Sequence, residues 1–108
     1  MRLVIVSGSF AGKEFEVQEG NNLVGRWDPE TGSFPEIDLE QYDEDAKISR
    51  KHCVIDRRGD QVSIEDIGSL NGTFVNKSQR LQVGEKFDLK IGDEVMIGKI
   101  VARITKAE

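Results

Sequence analysis

Hydrophobic residues enter this chain in short alternating pieces, and that pattern limits its fold more than any other feature. Leu3–Val6, Phe15–Val17, Cys53–Ile55, Val62–Ile64, Thr73–Val75, Phe87–Leu89, Val95–Ile97 and Ile100–Ile104 are rich in β-branched or aromatic residues and read as strands. Turn-forming clusters stand between them: Gly8-Ser9, Ala11-Gly12, Glu19-Gly20-Asn21-Asn22, Arg58-Gly59-Asp60, Gly68-Ser69, Asn71-Gly72, Val83-Gly84-Glu85, Ile91-Gly92-Asp93 and Gly98-Lys99. No segment shows a helical period. Turn signals at roughly 8- to 12-residue intervals predict an all-β fold, specifically a two-sheet β-sandwich. The 108 residues are enough for one core without metal or disulfide help, so 1–108 is read as a single domain.

Charge divides the chain unevenly. The net charge is −5, which disfavours a general attraction to nucleic acid, and no aromatics interleave with the Arg and Lys positions. Residues 27–46 hold eight acidic side chains and no basic one, leaving fifteen basic against twelve acidic elsewhere. The main body is therefore able to attract an anion. The stretch from Asp28 to Ala46, broken by Pro29, Gly32 and Pro35, reads as a long solvated loop. Besides solubility, its acids have two alternative readings: selection of basic residues in a ligand, or a cation site at Asp38, Glu40, Asp43 and Asp45, although their spacing is not that of an EF-hand. The lone thiol, Cys53, cannot form an internal bridge; it reads as a small buried hydrophobe and favours a reducing, cytoplasmic setting. No apolar run approaches the roughly 20 residues that span a bilayer, and the start is too short for a signal peptide's hydrophobic region. No membrane association, cofactor or metal is expected.

Three polar islands lie in or beside the expected turns: Gly25-Arg26, Ser49-Arg50-Lys51-His52, and Ser69-Leu70-Asn71-Gly72-Thr73. A phosphorylated hydroxyl carries about −1.5 to −2 charges and three strong acceptor oxygens, so its receptor needs a permanent cation and several donors. Arg26, Ser49 and Arg50 supply that set, and the planar arginine fork can donate twice to one phosphate. Gly25 permits either a close backbone approach or an unusual dihedral. Trp27, next in the chain, reads as core or loop packing ahead of groove lining. Asn71-Gly72 can be a two-residue hairpin turn or part of a functional loop.

In order and separation, the three islands resemble the forkhead-associated (FHA) domain, with its Gly-Arg pair, Ser-x-x-His and Asn-Gly-Thr, and the resemblance covers nearly the whole chain. It implies a sandwich of about eleven short strands with binding loops at one end, and a non-enzymatic module that recognises phosphothreonine in a partner protein for signalling or complex assembly. On that resemblance Arg26, Ser49 and Arg50 bind phosphate. Asn71 orients the peptide backbone, Leu70 contributes its amide, and Lys47 reads a side chain further along. Gly25, His52, Gly72 and Thr73 support the loops. Many members carry a hydroxyl residue where this chain has Leu70; Ser69 lies one residue further back.

Two rival functions differ in chemistry. A phosphate-independent interaction domain of the same fold draws support from Leu70. A hydrolase would use Ser49, His52 and Asp56 as nucleophile, base and orienter, but no Gly-x-Ser-x-Gly elbow or Gly-rich oxyanion loop accompanies them, so no catalytic residue is assigned. The partner, its kinase and the oligomeric state have no signature in the residues.

Overall fold

A computed structural model describes residues 1–78 and 80–106. Ten strands form two five-stranded sheets. They are β1 (Arg2–Ile5), β2 (Glu14–Glu16), β3 (Gly20–Gly25), β4 (Ile37–Asp38), β5 (Lys51–Arg58), β6 (Gln61–Asp66), β7 (Thr73–Val75), β8 (Lys86–Leu89), β9 (Glu94–Ile97) and β10 (Ile100–Thr105). One sheet runs β2-β1-β10-β9-β7 and the other β4-β3-β5-β6-β8. The pairs are antiparallel except β3 with β4. Alternation explains the layering: Leu3 and Ile5 of β1, Val95 and Ile97 of β9 and Ile55 and Ile64 of β5 and β6 are all buried in one shared core. Among the described residues no helix is long and apolar enough to cross a membrane.

The expected alternating pieces correspond to β1, β2 and β5 through β10, with shifts of a residue or so at some ends. Two readings of the sequence need correction, and one left open is decided. Glu19-Gly20-Asn21-Asn22 is not simply a turn, because β3 begins at Gly20 and contains both asparagines. Asn22 is fully buried, and its amide bonds the carbonyls of Gln18, Gly20 and Ile55 while its Oδ1 accepts from Gln18 N. A polar residue that satisfies itself this completely can sit inside a strand. The Asp28–Ala46 segment is also more than a solvated loop. It contains β4, a 3-10 turn at Glu40–Tyr42, and the buried side chains of Ser33, Ile37 and Leu39. Finally, Asn71-Gly72 is not a hairpin turn: residues 67–72 carry the chain from β6 in one sheet to β7 in the other.

Register decides which loops meet. Gly25 at the end of β3 pairs with Lys51 at the start of β5, and Cys53 two residues on pairs with Asp66 at the end of β6. The segments after β3, before β5 and after β6 therefore leave the same end of one sheet. The Gly98-Lys99 turn joining β9 to β10 in the other sheet comes up beneath them. A Cβ on Gly98 would lie 2.8 Å from the Lys47 carbonyl oxygen, so that glycine allows the two sheets' ends to close.

Candidate functional site

All three polar islands lie at this shared end, tied together through backbone. A bulge at Val24/Gly25 turns β3 so that Arg26 N donates to Arg50 O at 3.0 Å. Arg26 Nε donates to Ile48 O at 2.7 Å, which ties the guanidinium to the backbone next to Ser49, and its Nη1 meets Glu40. The close approach explains Gly25. A Cβ there would overlap the Arg50 carbonyl oxygen and lie 2.8 Å from its carbon and 3.2 Å from Ser49 O. Gly25 is not in the left-handed region, so of the two sequence readings the structure selects close approach.

The segment before β5 is braced from both sides. Asp43 accepts from Lys47 N (2.8 Å) and Ile48 N (3.0 Å). Ser33 Oγ donates to Arg50 O at 2.8 Å. His52 is fully buried, and its Nδ1 accepts from Ser49 N at 3.1 Å, which leaves the proton on Nε2 to be donated to Gly72 O at 2.8 Å. Burial pushes the imidazole's pKa down, against smaller opposing contributions from the Gly72 hydrogen bond and from Asp66 and Asp43. His52 thereby joins the backbone before β5 to that of the 67–72 loop. This geometry also removes the hydrolase arrangement, since both ring nitrogens face backbone and Ser49 Oγ instead accepts from Leu70 N at 3.1 Å.

The 67–72 loop is organised by Asp66, which sequence reasoning did not single out. Its carboxylate accepts from Gly68 N (2.8 Å), Ser69 N (2.9 Å), Ser69 Oγ and Thr73 Oγ1 (2.8 Å). Burial raises the pKa of this acid, but those four donors together outweigh it and hold the carboxyl below the usual carboxylate range. Ser69 is therefore an internal brace, its hydroxyl shared between Asp66 and Gly72 N, and Thr73 is buried at the start of β7. Asn71 Nδ2 donates to Lys47 O at 3.0 Å and so joins the two loops. Gly72, at φ 94°, makes the left-handed turn that lets the loop pass Arg80. Arg80 was also missed: its Nη2 donates to the carbonyls of Ser69 (2.9 Å) and Leu70 (3.2 Å). Arg80 lies outside the three islands, and no local pattern marks it.

At the rim, Leu70 is 80% exposed. Trp27 is 54% exposed and meets Phe34 edge-on at 6.4 Å, so of the core-or-loop reading only loop packing remains. Its chain position lies between the β3 bulge and the Asp28–Ser33 bridge. The acids of the 28–46 segment are dispersed. Asp38 accepts from Trp27 N and Glu40 N, Asp43 caps the 47–48 backbone, Glu40 meets Arg26 and Asp28 meets Arg50. Among the described residues no three metal-ligating side chains gather, so the cation reading has no ligand set. Cys53 is fully buried, and burial drives its thiol pKa far up, so it is inert.

Relatives place this frame. An oxoglutarate dehydrogenase inhibitor of Corynebacterium jeikeium is 35% identical over 97 residues, covering 90% of this chain and 58% of that protein. The glycogen accumulation regulator GarA of Mycolicibacterium smegmatis is 33% identical over 97 residues, covering 90% of this chain and 53% of that protein. The chain thus spans somewhat more than half the length of these curated relatives. A solved structure from an analysis of phosphothreonine-dependent FHA domain interactions superposes with TM-score 0.76 at 27% identity, covering 99% of this chain and 96% of that one. The FHA domain of FhaA, crystallised with the intracellular domain of Rv3910, superposes with TM-score 0.73 at 28% identity, covering 94% and 96%. The FHA domain family model matches residues 22–98, a span that takes in all three islands and the loops they brace, and on that evidence this chain belongs to the FHA domain family.

Proposed function

We propose that residues 1–108 act as one non-enzymatic recognition module that grips a phosphothreonine in a partner protein. The observation that carries this reading is the convergence of Arg26, Ser49, Arg50 and Asn71 at one end of the sheet, each held by backbone hydrogen bonds before any ligand arrives. In it Arg26 and Arg50 supply charge and Ser49 a hydroxyl. Asn71 orients the peptide backbone, with Lys47 and the Leu70 amide beside it. Gly25, His52, Gly72 and Thr73 hold the loops in shape. The similar structure described by phosphothreonine-dependent interactions, and relatives named as an inhibitor and a regulator, support a binding role over a catalytic one. A cytoplasmic setting is part of the same reading, supported by relatives named for oxoglutarate dehydrogenase and glycogen accumulation.

A micromolar complex corresponds to about −8 kcal/mol, a reasonable scale for one anchored phosphate and a short peptide. Titrating a phosphothreonine-centred peptide pool into wild type, Arg26→Ala and Ser49→Ala tests the assignment: affinity falls at least tenfold in Arg26→Ala and less in Ser49→Ala. Undiminished affinity in both folded variants rejects the pocket. The exposure of Leu70, Trp27 and Phe34 beside the site favours a second reading, a phosphate-independent interface. Equal binding of one peptide with and without its phosphate would select it.

A further inference from the structure

Two of the acids in the 28–46 segment are bound to the two arginines assigned to phosphate. Glu40 Oε2 lies 3.4 Å from Arg26 Nη1, and Asp28 Oδ2 lies 2.5 Å from Arg50 Nε. Neither carboxylate sits on a loose tether. Asp28 and Ser33 exchange both backbone hydrogen bonds, and Asp28 Oδ1 accepts from Glu30 N at 3.0 Å. Glu40 opens the 3-10 turn, with its own N donating to Asp38 Oδ1 at 3.0 Å. Desolvation raises the pKa of Asp28, but the hydrogen bonds from Arg50, Glu30 N and Thr31 together outweigh it and hold the carboxyl below the usual range, so it stays charged near neutrality.

Resting on the reading above, we propose that Glu40 and Asp28 are resident counter-ions that an incoming anion must displace, so that they hold phosphopeptide affinity below what two free arginines would give. An incoming anion meets guanidiniums already neutralised by groups attached to the same fold, present at an effective concentration on the order of millimolar or more. A ligand carboxylate brings one charge and two oxygens, the same as the group it must displace, so exchange yields no electrostatic gain. A phosphate brings about −1.5 to −2 charges and three oxygens, enough to engage both arginines in place of two separate carboxylates. Because the phosphate displaces both counter-ions where a carboxylate displaces one, the two pairs temper phosphate binding more than carboxylate binding. The pairs are partly exposed, with side-chain exposures of 31% and 49% for Arg26 and Glu40 and 55% and 20% for Arg50 and Asp28, so each opposes a ligand modestly. An exposed pair corresponds to a factor of roughly two to five.

The test compares wild type with Glu40→Gln, Asp28→Asn and the double variant. Both replacements keep a carbonyl oxygen, so the side-chain amide introduced at position 28 can still accept from Glu30 N, and a melting curve verifies the fold. Glu30→Gln removes the same charge from the same segment without touching either arginine pair. Each protein is titrated on a biosensor with a peptide pool centred on phosphothreonine and with the same pool carrying Glu at that position. The double variant is expected to bind the phosphothreonine pool at least fourfold tighter and to gain less for the Glu-centred pool, whereas Glu30→Gln leaves both affinities unchanged. If wild type binds the phosphothreonine pool and the folded double variant binds it within twofold of wild type, the counter-ion role is wrong while the phosphothreonine reading stands. If no protein in the set binds the phosphothreonine pool above the Glu pool, both are wrong.

Discussion

Replacing Gly25 by Ala tests how the site is assembled, because the structure fixes what one added methyl group meets. The new Cβ overlaps the Arg50 carbonyl oxygen, and the carbonyl carbon lies 2.8 Å away. Carbon atoms settle about 3.5 Å apart, so that peptide must retreat by roughly 0.7 Å or more. Both strands are tied on either side, through Val24–Cys53 pairing and through Ser33 Oγ on Arg50 O, so the shift cannot be confined to one atom. Overpacking of this kind costs about 1–3 kcal/mol. Losing the Arg26 N to Arg50 O hydrogen bond adds about 0.5–1.5 kcal/mol. A total near 3 kcal/mol lowers the melting temperature by roughly 12–24 °C in a domain of this size. The same displacement moves Ser49 and Arg50 away from Arg26, so phosphopeptide affinity falls even where the variant remains folded. The assay is a thermal melt followed by titration below the transition. Gly59→Ala is the comparison: Gly59 has φ 63° but nothing within 4 Å of a Cβ, so only backbone strain of about 1–2 kcal/mol is incurred. If Gly25→Ala melts no lower than Gly59→Ala, the close approach does not organise the site.

Two pH profiles follow from the buried acid and the buried base. Asp66 has a folded pKa below its ordinary value of 3.8, so its stabilisation is complete above that value and is lost as pH falls through the folded pKa. Asp66→Asn should therefore be less stable than wild type at pH 7 by about 2 kcal/mol or more, and the gap should narrow in urea titrations run from pH 4 downward; a constant gap refutes the role of the charge. His52 has a folded pKa below 6.5, so the neutral ring stabilises the fold fully above 6.5, and this contribution is lost as pH falls from 6.5 towards the folded value. Wild type should lose stability between pH 7.5 and 5.5 where His52→Gln does not, and parallel urea midpoints for the two proteins over that range would contradict it.

Much of the architecture was legible because burial alternates with period two in strands: Val62 and Ile64, or Ile100, Ala102 and Ile104, mark their inward faces without any knowledge of partners. The ordered islands marked Arg26, Ser49 and Asn71 as candidates, because the proposed recognition of a phosphate demands fixed donors and a permanent cation. β3 and β4 were less visible. Asn22 looks like a turn residue until the carbonyls of Gln18 and Ile55 are there to receive it, and Ile37 is one apolar residue among acids until β3 lies alongside.

By itself, then, the order of residues determined an all-β chain, the placement of most strands, and which side chains were chemically fit to hold an anion. Tertiary structure alone decided that Gly25 serves close packing rather than an unusual dihedral, that Asp66 and Arg80 brace the 67–72 loop, and that Glu40 and Asp28 face the two arginines. The physical reason is range. Alternation and turn chemistry act over a few neighbouring residues, whereas a counter-ion 14 positions away or a Cβ clash across two strands exists only once sheet register has brought distant backbone within a few ångströms.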